Sequence, residues 1–260
     1  GLSQNTVYDI LQDHEGFMWF ATQDGLNKYD GYDFKIYKQN PKDDNSLSHS
    51  AVFVLFEDSE NNLWIGTIGG GLNRFIREKD CFEHYKHKEN ENSLINDNIR
   101  DIDEDKRGNL WLGTYGGVSC FNKKTKKFTN YIHLPTNSNS LINNYVWTVK
   151  VMKDDEIWIG TDAGISILNP ENGNFTNIYP GKQSNGGEAP ASVWNIYEDK
   201  RHNLWFSSKN GFYTLKSNGE FVRYTTEPDF ANIFFPVLED SRNTLWVGSL
   251  GGGLMVFDRD

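Results

Sequence analysis

The sequence feature that most constrains the fold is a tryptophan that returns at a nearly constant spacing. Six of the eight tryptophans are separated by 45, 47, 47, 47 and 41 residues. These six are Trp19, Trp64, Trp111, Trp158, Trp205 and Trp246. Repeats of this length are typical of propellers, solenoids and similar arrays. The chain is therefore expected to repeat one small structural unit.

Three further landmarks keep the register of the tryptophan. In five copies an aspartate stands six residues before it, and in the fourth copy Met152 takes that place. The five aspartates are Asp13, Asp58, Asp105, Asp199 and Asp240. A glycine and an apolar residue follow each tryptophan after six or seven positions, and three copies are preceded by a Ser-Leu pair at Ser46, Ser93 and Ser140. Four landmarks in one register make the repeat a strong signal.

Each copy contains four short apolar or aromatic runs separated by turn residues. In the second copy these runs cover residues 51–57, 63–67, 72–76 and 82–86. Runs of this length bounded by Gly, Asn and Asp predict strands, whereas a helical repeat needs apolar residues at i, i+3 and i+4 over a dozen positions. The sequence therefore predicts an all-β protein, a β-propeller of four-stranded antiparallel blades.

The repeated residues are expected to build the blades. Each tryptophan is predicted to wedge between adjacent blades, each aspartate to cap the turn after the first strand, and each glycine to allow positive φ in the next turn. The fourth copy, with Met152 and no glycine in the turn, is expected to keep its blade but to have a turn of different shape.

We expect one propeller domain over 1–260 that is incomplete at its end. The predicted blades are approximately 1–40, 41–87, 88–134, 135–180, 181–226 and 227–260. The last copy provides three strands, over 233–238, 245–249 and 254–257, and lacks the outermost one. Closure of a ring, expected to have seven blades, would then need further sequence.

Composition excludes several classes of function. The net charge of −10 argues against a phosphate-binding surface, and the basic run at Lys123, Lys124, Lys126 and Lys127 is interpreted as a solvated turn. The mean hydropathy of −0.65, with no apolar run near 18 residues, argues against a transmembrane span in this segment. Cys81 and Cys120 lack metal-ligand spacing, their disulfide state is left open, and no cofactor is expected.

Enzymatic interpretations have less support. The six histidines fall at unrelated positions of the repeat, and no metal-ligand spacing is present. Residues 69–71 and 251–253 are Gly-Gly-Gly turns rather than phosphate loops, because no Lys-Ser/Thr follows. Two alternatives to a ligand sensor stay open: a protein-interaction propeller without a small ligand, and a carbohydrate-active propeller enzyme such as a lyase or glycosidase.

The repeat resembles the two-component regulator propeller. Its opening is similar to that family in Gly1-Leu-Ser-Gln-Asn-Thr-Val7, Gly16-Phe-Met-Trp19 and Asp24-Gly25-Leu26-Asn27. Ser93-Leu-Ile-Asn96 and Ser140-Leu-Ile-Asn143 carry the signature that joins its blades. The resemblance covers the whole chain and departs from the family pattern at Met152 and at Ser207-Ser208.

The resemblance implies a sensor segment that is not itself an enzyme. It would belong to the periplasmic part of a hybrid two-component histidine kinase of Bacteroides type, an inner-membrane protein that regulates transcription for polysaccharide use. The implied partners are an oligosaccharide, further propeller and immunoglobulin-like domains of the same chain, and a second copy in a homodimer. Nucleic acid and membrane contacts are not expected at this segment.

Topology indicates where a ligand would bind. The connections between blades and the turns between second and third strands should lie on one face, where rings and polar groups together suit a sugar. Eleven residues before each repeated tryptophan stand Tyr8, Phe53, Arg100, Trp147, Trp194 and Phe235. The connections and turns add polar or aromatic side chains, among them Asn144, Gln23 and Asp24. The candidate ligand-binding residues are Asn5, Tyr8, His49, Asn98, Arg100, Tyr115, Tyr145, Trp147, Asp162, Trp194 and Lys209.

Overall fold

The computed structural model describes residues 1–183, 187–225 and 234–259. Within those ranges the chain consists of short β-strands, with one 3-10 turn at Arg77–Lys79 and no α-helix. Consecutive strands pair in antiparallel sheets, which are propeller blades, so the predicted fold class is confirmed. The chain divides into two compact units, Gly1–Ile132 and His133–Asp260.

The first unit holds three four-stranded blades, named blades 1, 2 and 3. Blade 1 consists of β1 (Val7–Gln12), β2 (Met18–Thr22), β3 (Gly25–Tyr29) and β4 (Phe34–Tyr37). Blade 2 consists of β5 (Val52–Glu57), β6 (Leu63–Thr67), β7 (Leu72–Ile76) and β8 (Cys81–Tyr85). Blade 3 consists of β9 (Ile99–Glu104), β10 (Asn109–Thr114), β11 (Gly117–Asn122) and β12 (Lys127–Tyr131). The four strands expected in the second copy are confirmed to within one residue.

The second unit holds blades 4, 5 and 6. Blade 4 consists of β13 (Val146–Val151), β14 (Ile157–Thr161), β15 (Gly164–Asn169) and β16 (Asn174–Ile178). Blade 5 consists of β19 (Val193–Glu198), β20 (Leu204–Ser208), β21 (Gly211–Leu215) and β22 (Phe221–Tyr224). Blade 6 is described as β23 (Phe234–Glu239), β24 (Leu245–Ser249) and β25 (Gly253–Phe257). Ile233, where the inner strand of blade 6 was expected to begin, lies outside the described residues.

A two-stranded ribbon that the repeat did not predict separates blades 4 and 5. Its strands are β17 (Gly181–Lys182) and β18 (Glu188–Ala189). Ala189 is buried in the core that contains Phe221 of β22, so the ribbon packs against the outer strand of blade 5. Strands of two residues carry too short a pattern for sequence periodicity to detect.

The repeated tryptophan fills the cores between blades. Trp19 is buried in a core with Val52 and Leu63 of blade 2, and Trp64 in a core with Leu110 of blade 3. Trp158 and Trp205 are buried in the same way against blades 5 and 6. These four contacts confirm the predicted wedge, and Trp111 is buried as well.

The expectation of a sixth wedge is wrong for the described residues. Trp246 is only half-buried. Its strand neighbours Leu238 and Val256 are 62% and 58% exposed. Within the described part of the second unit, no other blade covers this apolar face of blade 6.

The aspartates cap their turns and also hold the tryptophans. In blade 1 the Oδ1 atom of Asp13 accepts the backbone N–H groups of Glu15 and Phe17, as expected for Asx chemistry. Its Oδ2 atom accepts the indole N–H of Trp19 at 2.7 Å, which was not predicted. The same indole bond recurs at 2.8 to 3.0 Å from Trp64, Trp111, Trp205 and Trp246. Each pair satisfies two polar groups that would be costly to bury alone.

The expected change of turn shape in the fourth copy is wrong. Met152 N–H donates to the Glu156 carbonyl and Asp155 N–H to the Met152 carbonyl, both at 2.9 Å. The turn of blade 2 has the same two bonds, with Asn61 at φ 64° where blade 4 has Asp155 at φ 67°. Short polar side chains tolerate this left-handed conformation without glycine. The indole partner also changes, because Trp158 donates to Glu156 at 3.3 Å.

A cation from the following blade completes three of the caps. Arg77 of blade 2 lies 2.8 Å from Asp13 and 3.1 Å from Glu57. Lys123 of blade 3 lies 2.8 Å from Asp58 and 2.6 Å from Glu104. Arg259 of blade 6 lies 2.9 Å from both Asp199 and Glu239. We call this arrangement of a capping aspartate, a cation and an inner-strand glutamate the ionic latch.

The Ser-Leu pairs and the glycines also have defined roles. The Oγ atoms of Ser46, Ser93 and Ser140 each accept a backbone N–H from the start of the same connection, at 2.9 to 3.0 Å. The leucine after each serine is buried. Gly71 has φ 73°, and a Cβ atom there would lie 2.4 Å from the carbonyl oxygen of Tyr85, so this turn excludes any larger residue.

Candidate ligand-binding face

In each unit the connections between blades and the second-to-third-strand turns meet on one face. In five blades, a backbone N–H of the turn donates to a backbone carbonyl of the connection at the same repeat position. In the first unit the donors are Gln23, Ile68 and Tyr115, at 3.4, 2.9 and 3.3 Å. In the second unit Asp162 donates to Tyr145 at 3.1 Å and Lys209 to Ser192 at 3.3 Å. The face expected from topology is therefore present in each unit.

The inner strand of every blade carries a β-bulge next to this face. In β1 Val7 pairs with Thr22 and Asp9 with Ala21, which leaves Tyr8 as the extra residue. The same shift leaves an extra residue in β5, β9, β13 and β19, namely Phe53, Arg100, Trp147 and Trp194. In β23 the shift spans Phe235 and Pro236. Bulges turn a side chain away from the regular ladder and are frequent beside functional sites.

The bulge residues of the first unit touch one another across the blades. The rings of Tyr8 and Phe53 have their centroids 4.9 Å apart. The guanidinium carbon of Arg100 lies 3.5 Å from the centroid of Phe53. Its Nη1 atom donates to the hydroxyl of Tyr115 at 3.1 Å. We call Tyr8, Phe53 and Arg100 the first bulge row.

The bulge residues of the second unit form an aromatic row. Trp147 lies 6.0 Å from Trp194, and Trp194 is stacked on Phe235 at 5.2 Å with the rings 15° from parallel. Tyr145 extends the row, 4.9 Å from Trp147. Such distances and angles are the favourable ones for aromatic pairs. We call Trp147, Trp194 and Phe235 the second bulge row.

A hydrogen-bond acceptor on the turn between β14 and β15 lies beside the second bulge row. Asp162 accepts the indole N–H of Trp147 at 3.3 Å and the hydroxyl of Ser192 at 2.8 Å. Trp147 and Asp162 are 15 residues apart, as are Arg100 and Tyr115, so both units pair a bulge residue with a turn residue at one register. The sequence analysis did not name Ser192, although its position two residues before the bulge residue Trp194 could have indicated it.

Seven of the eleven candidate residues take part in these contacts. They are Tyr8, Arg100, Tyr115, Tyr145, Trp147, Asp162 and Trp194. Their role in binding stays a prediction. Phe53 and Phe235 complete the two rows. Both stand eleven residues before a repeated tryptophan, but neither is among the eleven candidates.

The other four candidates lie at the face but outside the rows. The Nδ1 atom of His49 accepts the N–H of Ala51 at 3.1 Å, and the side-chain amide of Asn98 bonds to Asn96 at 2.9 Å. Asn5 and Lys209 are exposed. Two further polar residues also have structural partners: Asn144 accepts the N–H of His133, and Asp24 pairs with Lys38 at 2.6 Å.

A buried carboxyl follows the bulge in blade 1. Asp9 accepts the backbone N–H groups of Leu55 in blade 2 and of Ile10, both at 2.8 Å. Burial raises the pKa of Asp9 to about 6, because it disfavours the charged form more than these two bonds favour it. Asp9 therefore titrates beside the first bulge row.

The described residues offer no metal centre. Within 1–183, 187–225 and 234–259 no three His, Cys, Asp or Glu side chains are grouped to hold an ion. Cys81 and Cys120 are free thiols, and burial raises the pKa of Cys120 to about 12, which makes it a poor nucleophile. A search of the described part of the chain finds no helix long and apolar enough to span a membrane.

Sequence comparison identifies the repeat. A family model described as two component regulator propeller matches residues 1–24, 46–69, 93–116 and 187–210. These four segments therefore match the two-component regulator propeller repeat. A 48-residue stretch is also 58% identical to histidine kinase P4 of Formosa agariphila, over 18% of this chain and 4% of the kinase.

Comparison with solved structures gives a similar result. The extracellular domain of a protein described as a hybrid two-component system in Bacteroides thetaiotaomicron is 28% identical, with a TM-score of 0.84. The match covers 100% of this chain and 34% of that domain. The repeats therefore resemble the extracellular domain of a two-component system and span about a third of its length.

An enzyme shares the fold as well. Virginiamycin B lyase from Staphylococcus aureus is 16% identical with a TM-score of 0.68, over 98% of this chain and 85% of the lyase. At that identity the likeness concerns the fold alone.

Proposed function

We propose that this segment is the ligand-sensing part of a hybrid two-component sensor histidine kinase, and that its bulge rows bind an oligosaccharide. The observation that carries the proposal is the second bulge row. Three flat rings at one register, with the Asp162 carboxylate and the Ser192 hydroxyl beside them, combine stacking surface with hydrogen-bonding groups. A sugar presents C–H faces to rings and hydroxyls to polar groups, so this chemistry suits it.

The surroundings of the site belong to the same proposal. The likeness to an extracellular domain of a two-component system supports a periplasmic location and further domains in the same chain. Binding would bias a homodimer of the receptor and so change kinase output and transcription for polysaccharide use. The segment itself would carry out no chemistry on its ligand.

Calorimetry against neutral and acidic oligosaccharides tests the proposal. We expect at least one fragment to bind, and Trp194→Ala to weaken that binding at least tenfold, about 1.4 kcal/mol, because it removes the ring between its two neighbours. Tyr32→Ala is the matched control, since Tyr32 is 92% exposed on the β3–β4 hairpin.

Three results would contradict it. Cleavage or elimination of a fragment would identify a carbohydrate-active enzyme instead. The absence of heat with every fragment would favour an interaction propeller. Equal loss of affinity in the Trp194 and Tyr32 variants would remove the bulge row from the site.

A further inference from the structure

Asp9 joins the inner strands of blades 1 and 2. Its Oδ2 atom accepts the backbone N–H of Leu55 on β5, and its Oδ1 atom accepts that of Ile10 on β1, both at 2.8 Å. Tyr8 directly precedes Asp9, and Phe53 stands two residues before Leu55. On the basis of the proposed function, we propose that Asp9 is a positioning residue whose ionisation sets the arrangement of Tyr8 and Phe53, so that ligand binding at the first bulge row depends on pH.

The bond to Leu55 satisfies a backbone group that its own blade does not pair. β5 is the inner edge of blade 2, because it stands at the end of the strand order β5-β6-β7-β8. An edge strand presents backbone N–H groups on the side away from its sheet, and Leu55 is buried. A buried N–H without an acceptor is costly. The Asp9 carboxylate supplies that acceptor from the preceding blade.

The equivalent positions of blades 2 and 3 have a different arrangement. Val54 takes the place of Asp9 in blade 2, and its side chain has no atom that accepts a hydrogen bond. In blade 3 the Oδ1 atom of Asp101 accepts the N–H of Ile102, which is the counterpart of Leu55 but belongs to the same strand as its acceptor. The bond from Asp9 to the next blade is therefore a particular feature of the contact between blades 1 and 2.

The carboxylate bond lies beside the ring contact of the first bulge row. The rings of Tyr8 and Phe53 have their centroids 4.9 Å apart and their planes at 31°. Tyr8 is 44% exposed and Phe53 is half-buried, so a ligand can reach both rings. The two rings project from β1 and β5, the same strands that Asp9 holds together. A change in this bond therefore alters the spacing of the two strands next to the rings.

The bonding of this carboxyl group changes with its ionisation. Burial raises the pKa of Asp9 to about 6. The ionised carboxylate accepts the N–H of Leu55 at one oxygen and that of Ile10 at the other. The neutral acid carries a proton on one of these oxygens, and a bond to an ionised acceptor is stronger than one to a neutral acceptor. Protonation therefore disrupts one of the two bonds and weakens the other.

The raised pKa of this carboxyl has no ionic cause among the described residues. Its causes are burial, which raises it, and the two backbone bonds, which lower it. The other charged or titratable side chains of β1, β5, the adjacent connection and turn, and β9 near this face are Tyr8, Glu57, His49, Asp24, Arg100 and Asp101, and β2 has none. Glu57, at the far end of β5, is bound by Arg77. None of these groups contributes to the shift.

The direction of the effect follows from the ionised arrangement. We expect the ligand to bind best when both bonds hold the strands, so its affinity should increase as the pH rises from about 5 to about 7. A ligand that prefers the ionised form lowers the pKa of Asp9 in the complex, by reciprocity of the two binding equilibria. Binding near pH 6 should therefore release a proton.

NMR with isotope-labelled leucine and phenylalanine tests the link without a ligand. We expect the amide signal of Leu55 and the ring signals of Phe53 to shift with one midpoint near pH 6. Asp9→Asn keeps an acceptor oxygen but cannot ionise, so it should abolish both shifts. Asp33→Asn, which removes an exposed carboxyl of the β3–β4 hairpin, is the matched control and should change neither. Thermal melting shows whether each variant folds.

Calorimetry at several pH values tests the effect on binding. The probes are cellohexaose, laminarihexaose and mannohexaose, which are uncharged, so any pH dependence belongs to the protein. We expect the affinity for a probe that binds to be at least threefold higher at pH 7 than at pH 5. At pH 6 the heat should vary with the ionisation enthalpy of the buffer, as proton release requires. Asp9→Asn should give a flat pH profile, and Asp33→Asn should keep the original one.

The outcomes separate this inference from the function on which it rests. Phe53 ring signals that stay constant with pH would overturn the positioning role of Asp9, whether or not a probe binds. An affinity that does not vary with pH, or a pH dependence that persists in Asp9→Asn, would overturn the control of binding by Asp9 and leave an oligosaccharide sensor. Absence of binding by every probe, neutral or acidic, would contradict the oligosaccharide proposal itself.

Discussion

Two contacts between blades bury the repeated tryptophan in different environments. One joins blades 2 and 3 around Trp64, and the other joins blades 4 and 5 around Trp158. In the first, Trp64 donates to Asp58, whose carboxylate is buried and also bound by Lys123. In the second, Met152 replaces the aspartate and packs at the edge of the core that contains Trp158. The tryptophans are 1% and 8% exposed, so both environments bury them almost completely.

The contact between blades 4 and 5 has different ion pairs at the register of the latch. At the register that holds Lys123 in blade 3, blade 5 has Lys216 nearby, and its ammonium pairs with Glu220 of the same blade. Glu198, at the register of Glu104, pairs with His202 instead. Apolar burial is therefore sufficient to join blades 4 and 5, and the ionic latch is an addition found at three of the capping aspartates. A buried ion pair replaced as a whole by apolar groups is often neutral for stability, whereas removal of one partner is costly.

The largest expected effect comes from breaking the latch on one side. Lys123→Met leaves the carboxylates of Asp58 and Glu104 without their cation, and we expect a loss of about 3–5 kcal/mol in the free energy of unfolding. Chemical denaturation measures this loss. Asp58→Met with Lys123→Met imitates the contact of blades 4 and 5 and should recover most of it. If Lys123→Met costs less than about 1 kcal/mol, the stability of the protein does not depend on the pairing of Lys123 with the two carboxylates.

A smaller effect appears in acid. Burial acts to raise the pKa of Asp199, but hydrogen bonds from Asn203, Trp205 and Arg259 outweigh it and lower the pKa to about 2. Because the folded pKa lies below the unfolded value near 4, the carboxylate stabilises the protein above pH 4. This contribution, about 2 kcal/mol, is lost as the pH falls from about 4 to about 2.

Denaturation at several pH values measures this dependence. Asp199→Asn should make stability flatter between pH 4 and pH 2, and Met152→Leu, at the same register without a carboxyl, should leave the slope unchanged. An unchanged slope in Asp199→Asn would contradict the assignment.

The smallest expected effect is at the contact without a latch. Glu156→Ala removes the acceptor of the Trp158 indole, a half-exposed bond of 3.3 Å, and should cost about 0.5–1 kcal/mol. Asp58→Ala, which leaves the indole of Trp64 and the ammonium of Lys123 without their acceptor, should cost clearly more in the same assay. Equal losses would remove the distinction between the two kinds of contact.

The repeat made most of the fold predictable from sequence. Strand positions, turn caps and the tryptophan wedge follow from local patterns that recur in one register. The ionic latch could not be found in this way, since Lys123 and Asp58 are 65 residues apart and their pairing depends on how blades pack. The turn at Met152 was misjudged because backbone bonds and a left-handed Asp155 are enough to form it without a carboxylate.

The candidate face was predictable in part. Arg100, Trp147 and Trp194 could be recognised from their repeat position alone as equivalents of one another and of the residues at that position in the other blades. The bulges that turn these side chains out of the ladder have no sequence signature, because they depend on which residue of the next strand is paired. Loop residues such as Asn98 and Asn144 were named for their chemistry, but their amides bond to nearby backbone or to neighbouring loop residues.

Under the proposed function, the bulges also separate recognition from folding. Each extra residue lies outside the pairing of its strand with the next, so a change at that position leaves the ladder, the cap and the tryptophan of its blade in place. One side chain per blade can therefore vary while the scaffold stays constant. If these positions bind the ligand as proposed, evolution can alter the ligand preference one blade at a time, and a duplicated blade adds one more variable position.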